Sequence, residues 1–324
     1  MIRLLPLLLL LLLPPPAAGT GFSKSNAGTS GGEFLKFGAD ARGVAMGGEV
    51  SAASEDAAAI YWNPAGLARL TQRHGTFTGG ILYQDVKYGF AAYAHPIKPL
   101  IPTRRREIRP SVRGTLAVAG LYLNAGTLKA RDNQGEDTDG SFTPRDAAFI
   151  AGWGASFSES IDIGLTLKYI DSRIQAVART GTMDLGARYN GQFFDWPYIF
   201  ALNARNVGGQ LRFRQQADPL PTSFRVGQSL RLTELWLLSL DVVMPRDNNI
   251  YAAAGTEVRI PVDERFETFI RGGWSGRTNS GALEGMAGFS FGLGLGYRSF
   301  VFDYAWLPYG VLGHTQRLTL AYRF

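Results

Sequence analysis

A few residues have types and spacings that could do chemistry, and each is better explained without it. Gly28-Thr29-Ser30-Gly31-Gly32 has the Gly-x-Ser-x-Gly form that presents a serine nucleophile on a strained turn, but no strand-like run precedes it. Gly292-Leu293-Gly294-Leu295-Gly296 could pass for a dinucleotide fingerprint. Its glycines instead have strand spacing, and no helix or second βαβ element follows. His74, His95 and His314 are far apart and form no ligand motif, and a chain without cysteine has no thiolate metal site. Arg259 and Glu267 flank a short turn at 261–264, where opposite charges on paired strands form an ion pair. No catalytic, metal or cofactor constellation emerges, and the expectation is a protein without catalytic chemistry.

The elements that carry these residues begin with an export signal. Arg3 gives a basic start, Leu4 to Leu13 an apolar run interrupted only by Pro6, and Ala17-Ala18-Gly19 the small residues of a cleavage site. The run is about half the length a membrane-spanning helix needs. Residues 1–19 are therefore expected to be a signal peptide and 20–32 an N-terminal extension. No later segment is continuously apolar for 18 residues, which excludes a helical membrane protein. The net charge of +6 comes from scattered arginines, and an exported chain meets no genome, so nucleic acid is not an expected partner.

Alternation with period two runs through the rest. Leu318, Leu320, Tyr322 and Phe324 share a face opposite Arg317, Thr319, Ala321 and Arg323, and Phe289, Phe291, Leu293, Leu295 and Tyr297 oppose serine, glycine and arginine. A barrel wall in lipid needs that pattern, with apolar side chains outward and polar or small ones inward. A soluble β-sandwich also alternates, but its wet face would carry more Lys and Glu. Candidate strands fall at 75–84, 87–96, 112–123, 147–157, 160–173, 181–190, 196–206, 222–232, 235–244, 249–260, 265–274, 286–298, 299–306 and 314–324. These make an all-β fold, a transmembrane antiparallel β-barrel of about 14 strands over 71–324. Short turns near 158–160, 233–234, 261–264 and 298–299 alternate with long connections at 124–146, 207–221, 275–285 and 307–313. The exception is 97–111, long and basic (Arg104, Arg105, Arg106, Arg109) yet on the short-turn, periplasmic side. Phe157, Tyr198, Trp236, Phe266, Tyr297 and Phe324 are expected to mark a periplasmic aromatic girdle, with Trp274 and Trp306 at the other interface.

Residues 33–70 do not alternate and read as a short helical or loop plug in the lumen. Asn63-Pro64 suits a sharp turn, because proline lacks a donor and asparagine closes turns with its side chain. The run 55–67, with Trp62-Asn63-Pro64-Ala65-Gly66 at its centre, resembles the N-terminal hatch of FadL-type outer-membrane transporters. Gly32-Glu33-Phe34-Leu35, Gly38-Ala39-Asp40-Ala41-Arg42, Ala45-Met46-Gly47-Gly48, Leu220 to Gly227, Asp303-Tyr304-Ala305-Trp306 and Leu312-Gly313-His314 resemble the PorV/PorQ family more closely, over nearly the whole mature chain.

That resemblance implies a fourteen-strand barrel with a plug in the bacterial outer membrane and, for PorV itself, a shuttle binding exported proteins of type IX secretion. FadL relatives instead pass hydrophobic small molecules through the lumen and out laterally. The C-terminal Tyr322 and Phe324 resemble the signal read by the barrel assembly machinery. The expected partners are outer-membrane lipids, that machinery, and either exported proteins or hydrophobic small molecules. A protein-binding role would use the polar 124–146 connection, with Asp132, Glu136, Asp137 and Asp139. A conduit would need an apolar cavity near Trp62.

Overall fold

Where the sequence alternates, the chain is extended, and the extended segments pair with their neighbours until the last meets the first. The computed structural model describes residues 24–97, 114–131, 134, 136–213, 217–277 and 285–324. The export segment, the start of the 20–32 extension and the arginines at 104–106 and 109 lie outside these residues.

The strands are β1 (His74–Ile81), β2 (Lys87–Pro96), β3 (Gly114–Asn124), β4 (Leu128–Arg131), β5 (Asp137–Phe142), β6 (Arg145–Ser156), β7 (Ile161–Arg173), β8 (Val177–Phe193) and β9 (Trp196–Val207). Then come β10 (Gln210–Arg212), β11 (Ala217–Pro219), β12 (Ser223–Thr233), β13 (Trp236–Pro245), β14 (Tyr251–Pro261), β15 (Phe266–Ser275), β16 (Phe289–Tyr297), β17 (Phe300–Pro308) and β18 (His314–Arg323). Fourteen of them close an antiparallel barrel; β4–β5 and β10–β11 are separate hairpins in two long connections. Closure runs from His74 opposite Arg323 to Ile81 opposite Gln316. It leaves no edge of the barrel wall unpaired, which is what lets a sheet stand in lipid.

All fourteen expected strands are present, with shifted ends. β1 stops at Ile81 instead of 84, because residues 82–86 make the hairpin turn, with Gln84 and Asp85 at positive φ. β8 runs well past the expected 181–190 at both ends, and β16 starts only at Phe289. Phe77, Phe149, Leu167, Leu293 and Leu318 point outward and are exposed, forming the lipid-facing band. Of the expected periplasmic girdle, Tyr198 is the exception. It is buried beside Phe193, and its hydroxyl donates to Gln228.

Residues 33–70 fill the lumen as short turns of helix: a 3-10 turn (Glu33–Lys36), α1 (Ala41–Ala45), α2 (Ala59–Trp62) and a 3-10 turn (Pro64–Arg69). The segment enters at the end of the long loops, where Gly31 N–H donates to Pro219 and Lys36 pairs with Asp247, and leaves at the short-turn end into β1. Helices this short do not persist alone, so the wall must hold them.

The interior corrects one expectation. A polar or small inward face holds over most of β12 to β18, where Leu237, Val243 and Phe269 are inward apolar exceptions, but fails on β2, β3 and β6. There Phe90, Leu121, Leu123 and Ile150 point inward and share one buried cluster with Ile60, Tyr61 and Leu67 of the plug. The polar-inside pattern belongs to a water-filled lumen; a plug removes the water and makes inward apolar side chains favourable.

Inward glycines let the plug backbone lie against the wall. A Cβ at Gly164 would sit 2.2 Å from the Pro64 carbonyl carbon, at Gly186 2.0 Å from Asn63 Oδ1, and at Gly273 2.1 Å from Gly47 N. Gly164→Val should therefore overpack this contact and cost about 1–3 kcal/mol, measured as the urea midpoint of the refolded barrel in vesicles. Gly120→Val, at a position with nothing within 4 Å, should leave the midpoint unchanged.

Candidate functional site

The Trp62 to Gly66 motif is wholly buried. Asn63 is extended and ends α2; its Oδ1 accepts from Ala65 N–H at 3.1 Å while its Nδ2 donates to the Ser51 carbonyl at 3.1 Å. Pro64 follows at the first position of the next turn, where its missing N–H costs nothing. Asn203 on β9 donates to the Trp62 carbonyl, and a Cβ at Gly66 would meet Ser54 O at 2.4 Å. The Trp62 indole N–H donates to Asp40 Oδ1 at 2.6 Å, and the same carboxylate caps α1. These residues shape the plug, and Trp62 faces no open space.

Opposite the apolar wall lies a chain of charges. Arg42 of α1 grips Glu257 of β14 with two hydrogen bonds (2.8 and 2.9 Å); Glu257 accepts from Arg271 at 2.7 Å, and Arg271 donates to Asp303 at 2.6 Å. Arg225 pairs with Glu49 at 2.9 Å, which also accepts from Tyr251, and Arg188 pairs with Glu55 at 2.9 Å. Arg317 donates to the carbonyls of Phe37 and Gly38, its guanidinium 4.7 Å from the Tyr88 ring centre. Sequence reasoning missed this network. Its only signal is that Glu257, Arg271 and Asp303 sit singly on inward positions, and their partner Arg42 is over 200 residues from Glu257.

Arg259 and Glu267 do pair, at 2.6 Å, but diagonally: Arg259 faces Phe269 and Glu267 faces Pro261. They line a charged cavity of about 280 Å³ at the short-turn end, with His74 and Arg323. A second polar cavity of about 240 Å³ lies at the long-loop end, between Lys36, Arg225, Asp247 and Arg277. Tyr322 and Phe324 meet edge to face with ring centres 4.6 Å apart, and the Tyr322 ring centre lies 4.5 Å from that of Phe300; Phe324 N–H donates to Arg73 O.

The large apolar spaces lie elsewhere. A furrow of about 1350 Å³ follows the outer wall over β1, β18, β17 and β16, lined by Phe77, Leu293, Phe302, Leu318 and Leu320. Residues 82–85 and 312–314 bound it at the long-loop end. Gly79 points into this face with no atom within 4 Å of a built Cβ. Tyr83, at its edge, is 6.4 Å from Phe37 of the plug and 5.9 Å from Tyr309. A smaller furrow of about 610 Å³ crosses β12 to β16. Trp62 lines none of these cavities, so the apolar cavity expected near it for a conduit is not found there; the apolar space lies on the outer wall instead.

The fold has known counterparts. The Pseudomonas putida toluene transporter TodX superposes with a TM-score of 0.55 at 11% identity, covering 88% of this chain and 96% of TodX. A Pseudomonas aeruginosa FadL homologue gives 0.51 at 9% identity, covering 88% and 98%. No family model matches the sequence, and no curated protein does. At these identities the likeness is one of fold, that of FadL-type outer-membrane barrels; the resemblance to PorV/PorQ rests on the sequence motifs alone and no comparison adds to it.

Burial, and then the charge of Asp56, push the Asp40 carboxyl up from 3.8 to about 6, against the Trp62 hydrogen bond. A raised folded-state value means the fold holds the proton more tightly than the unfolded chain between those limits. Asp40's contribution is thus fullest below 3.8 and is lost as pH rises through about 6. Unfolding midpoints across this range should fall with pH more steeply in the wild type than in Asp40→Asn. Separately, Glu257→Ala leaves Arg42 and Arg271 without their shared carboxylate, and should cost about 3–5 kcal/mol and make the plug cleavable by added protease.

Proposed function

We propose that this chain is a non-enzymatic conduit for hydrophobic small molecules in the bacterial outer membrane. The observation that carries this reading is the furrow beside β1. Of the cavities described above, the largest is apolar and lies on the lipid-facing wall, whereas those inside the lumen are smaller and charged. Apolar molecules collect in the furrow and reach the rim of the plug past Phe37, Tyr83 and Tyr309. The TodX structure, described as a toluene transporter, and the FadL homologue lend this reading the precedent of their fold. The protein-shuttle reading drawn from the PorV/PorQ motifs has no comparable feature in its favour; its loop, 124–146, contains an exposed hairpin of β4 and β5.

Gly79→Leu fills the furrow floor without touching the wall interior. Cells expressing the wild type should take up radiolabelled toluene or dodecanoate faster than cells lacking it, and Gly79→Leu should remove most of that gain while keeping the heat-modifiable gel mobility of a folded barrel. Equal uptake with and without the protein would refute the conduit. Stoichiometric co-purification of exported proteins with both forms would restore the shuttle.

A further inference from the structure

The outward face of the barrel is apolar around most of its extracellular rim and basic along one arc. On β2, β3, β6, β7 and β8, outward positions are those in phase with the exposed Tyr122, Phe149, Tyr169 and Met183. At the extracellular ends of these strands the phase places Lys87, Arg145, Arg173 and Arg179 outward. The pairing makes them a row: Lys87 faces Asn124, Asn124 faces Arg145, and Arg145 faces Arg173. Arg179 lies one step below, facing Asp171. Below the row stand Tyr122, one outward position under Asn124, and Phe149 and Tyr169, two outward positions under Arg145 and Arg173.

Four cations and one carboxylate leave a charge of +3 on this arc. Asp171 accepts from Arg173 Nε and Arg179 Nε, both at 2.7 Å, which holds two guanidinium forks side by side. Lys87 and Arg145 form no ion pair among the described residues. Four strand spacings separate Lys87 from Arg179, a span of about 19 Å. The same strands carry no lysine or arginine at their outward periplasmic ends, where Tyr93, His95, Leu116, Trp153, Ile161 and Tyr189 stand. Across the barrel, the outward extracellular ends of β13 to β17 are Met244, Ala252, Trp274, Phe289 and Trp306.

We propose that this arc is a binding site for the phosphate groups of an outer-leaflet glycolipid. Exposed cations one or two outward positions above an aromatic belt sit at headgroup height, and arginine forks match phosphate oxygens in pairs. The lipid's acyl chains then lie against Phe149, Leu167 and Met183 below. The site depends on the barrel's orientation in the membrane and not on what it transports.

Native mass spectrometry of the detergent-solubilised full chain, with added lipid A in bisphosphorylated and dephosphorylated forms, tests it. The bisphosphorylated form should be retained, the dephosphorylated form should not, and Arg145→Gln/Arg173→Gln/Arg179→Gln should weaken retention by at least about tenfold. Arg246→Gln, an exposed arginine on the β13–β14 connection, should behave as wild type. If the triple variant fails to fold, Lys87→Gln/Arg145→Gln, which breaks no ion pair, should still weaken retention. Equal retention of the dephosphorylated lipid, an equal loss in Arg246→Gln, or full competition by inorganic phosphate at matched concentration would overturn the proposal.

Discussion

A fourteen-strand barrel encloses more space than its own inward side chains can fill, and in this protein everything inside the wall answers to that constraint. The plug supplies the missing volume, but its helices are too short to be stable by themselves. The wall therefore gives up side chains where the plug backbone must touch it. Gly164 and Gly186 seat the turn made by Asn63 and Pro64, and Gly273 seats Gly47 on the other side. Plug and barrel are thus one folded unit, each holding the other in shape.

The two sides of the lumen hold the plug by different physics. Against β2, β3 and β6 it is packed with apolar side chains, whose burial is favourable but unspecific in direction. Against β12 to β18 it is fixed by hydrogen-bonded ion pairs such as Arg42 with Glu257 and Arg225 with Glu49. Buried pairs recover little net energy after desolvation, but a mispositioned one is costly. That asymmetry explains how a segment with little regular structure takes one position: the apolar side supplies the attraction, and the ionic side sets the register.

Much of the wall is legible in the sequence because lipid enforces a simple rule on the outer face. Leu318, Leu320, Leu293 and Phe302 alternate without interruption, and the strand count and turn parity follow from them. The inner face obeys no such local rule. Phe90 and Leu121 point inward because the plug, far away in sequence, has made the interior dry, and Glu257 is buried because Arg42 meets it there. The Asn63-Pro64 turn was readable from its residue types, while its glycine seats were not, since each glycine is defined by what crosses it. The furrow was equally hidden: Gly79 reads as one more small residue until its neighbours on β18 and β17 are known to face lipid.

With a plug-filled, charge-pinned lumen and an apolar outer furrow, the conduit proposed above would take hydrophobic molecules along the wall and not along the axis. Ion conductance in planar bilayers tests the seal most directly, comparing the full chain with a form lacking residues 24–70. The full chain should conduct no steady current at neutral pH, and the deletion, if it inserts as a barrel, should open a large permanent pore. A steady open conductance in the full chain would contradict the account, because it would mean that the plug does not close the lumen.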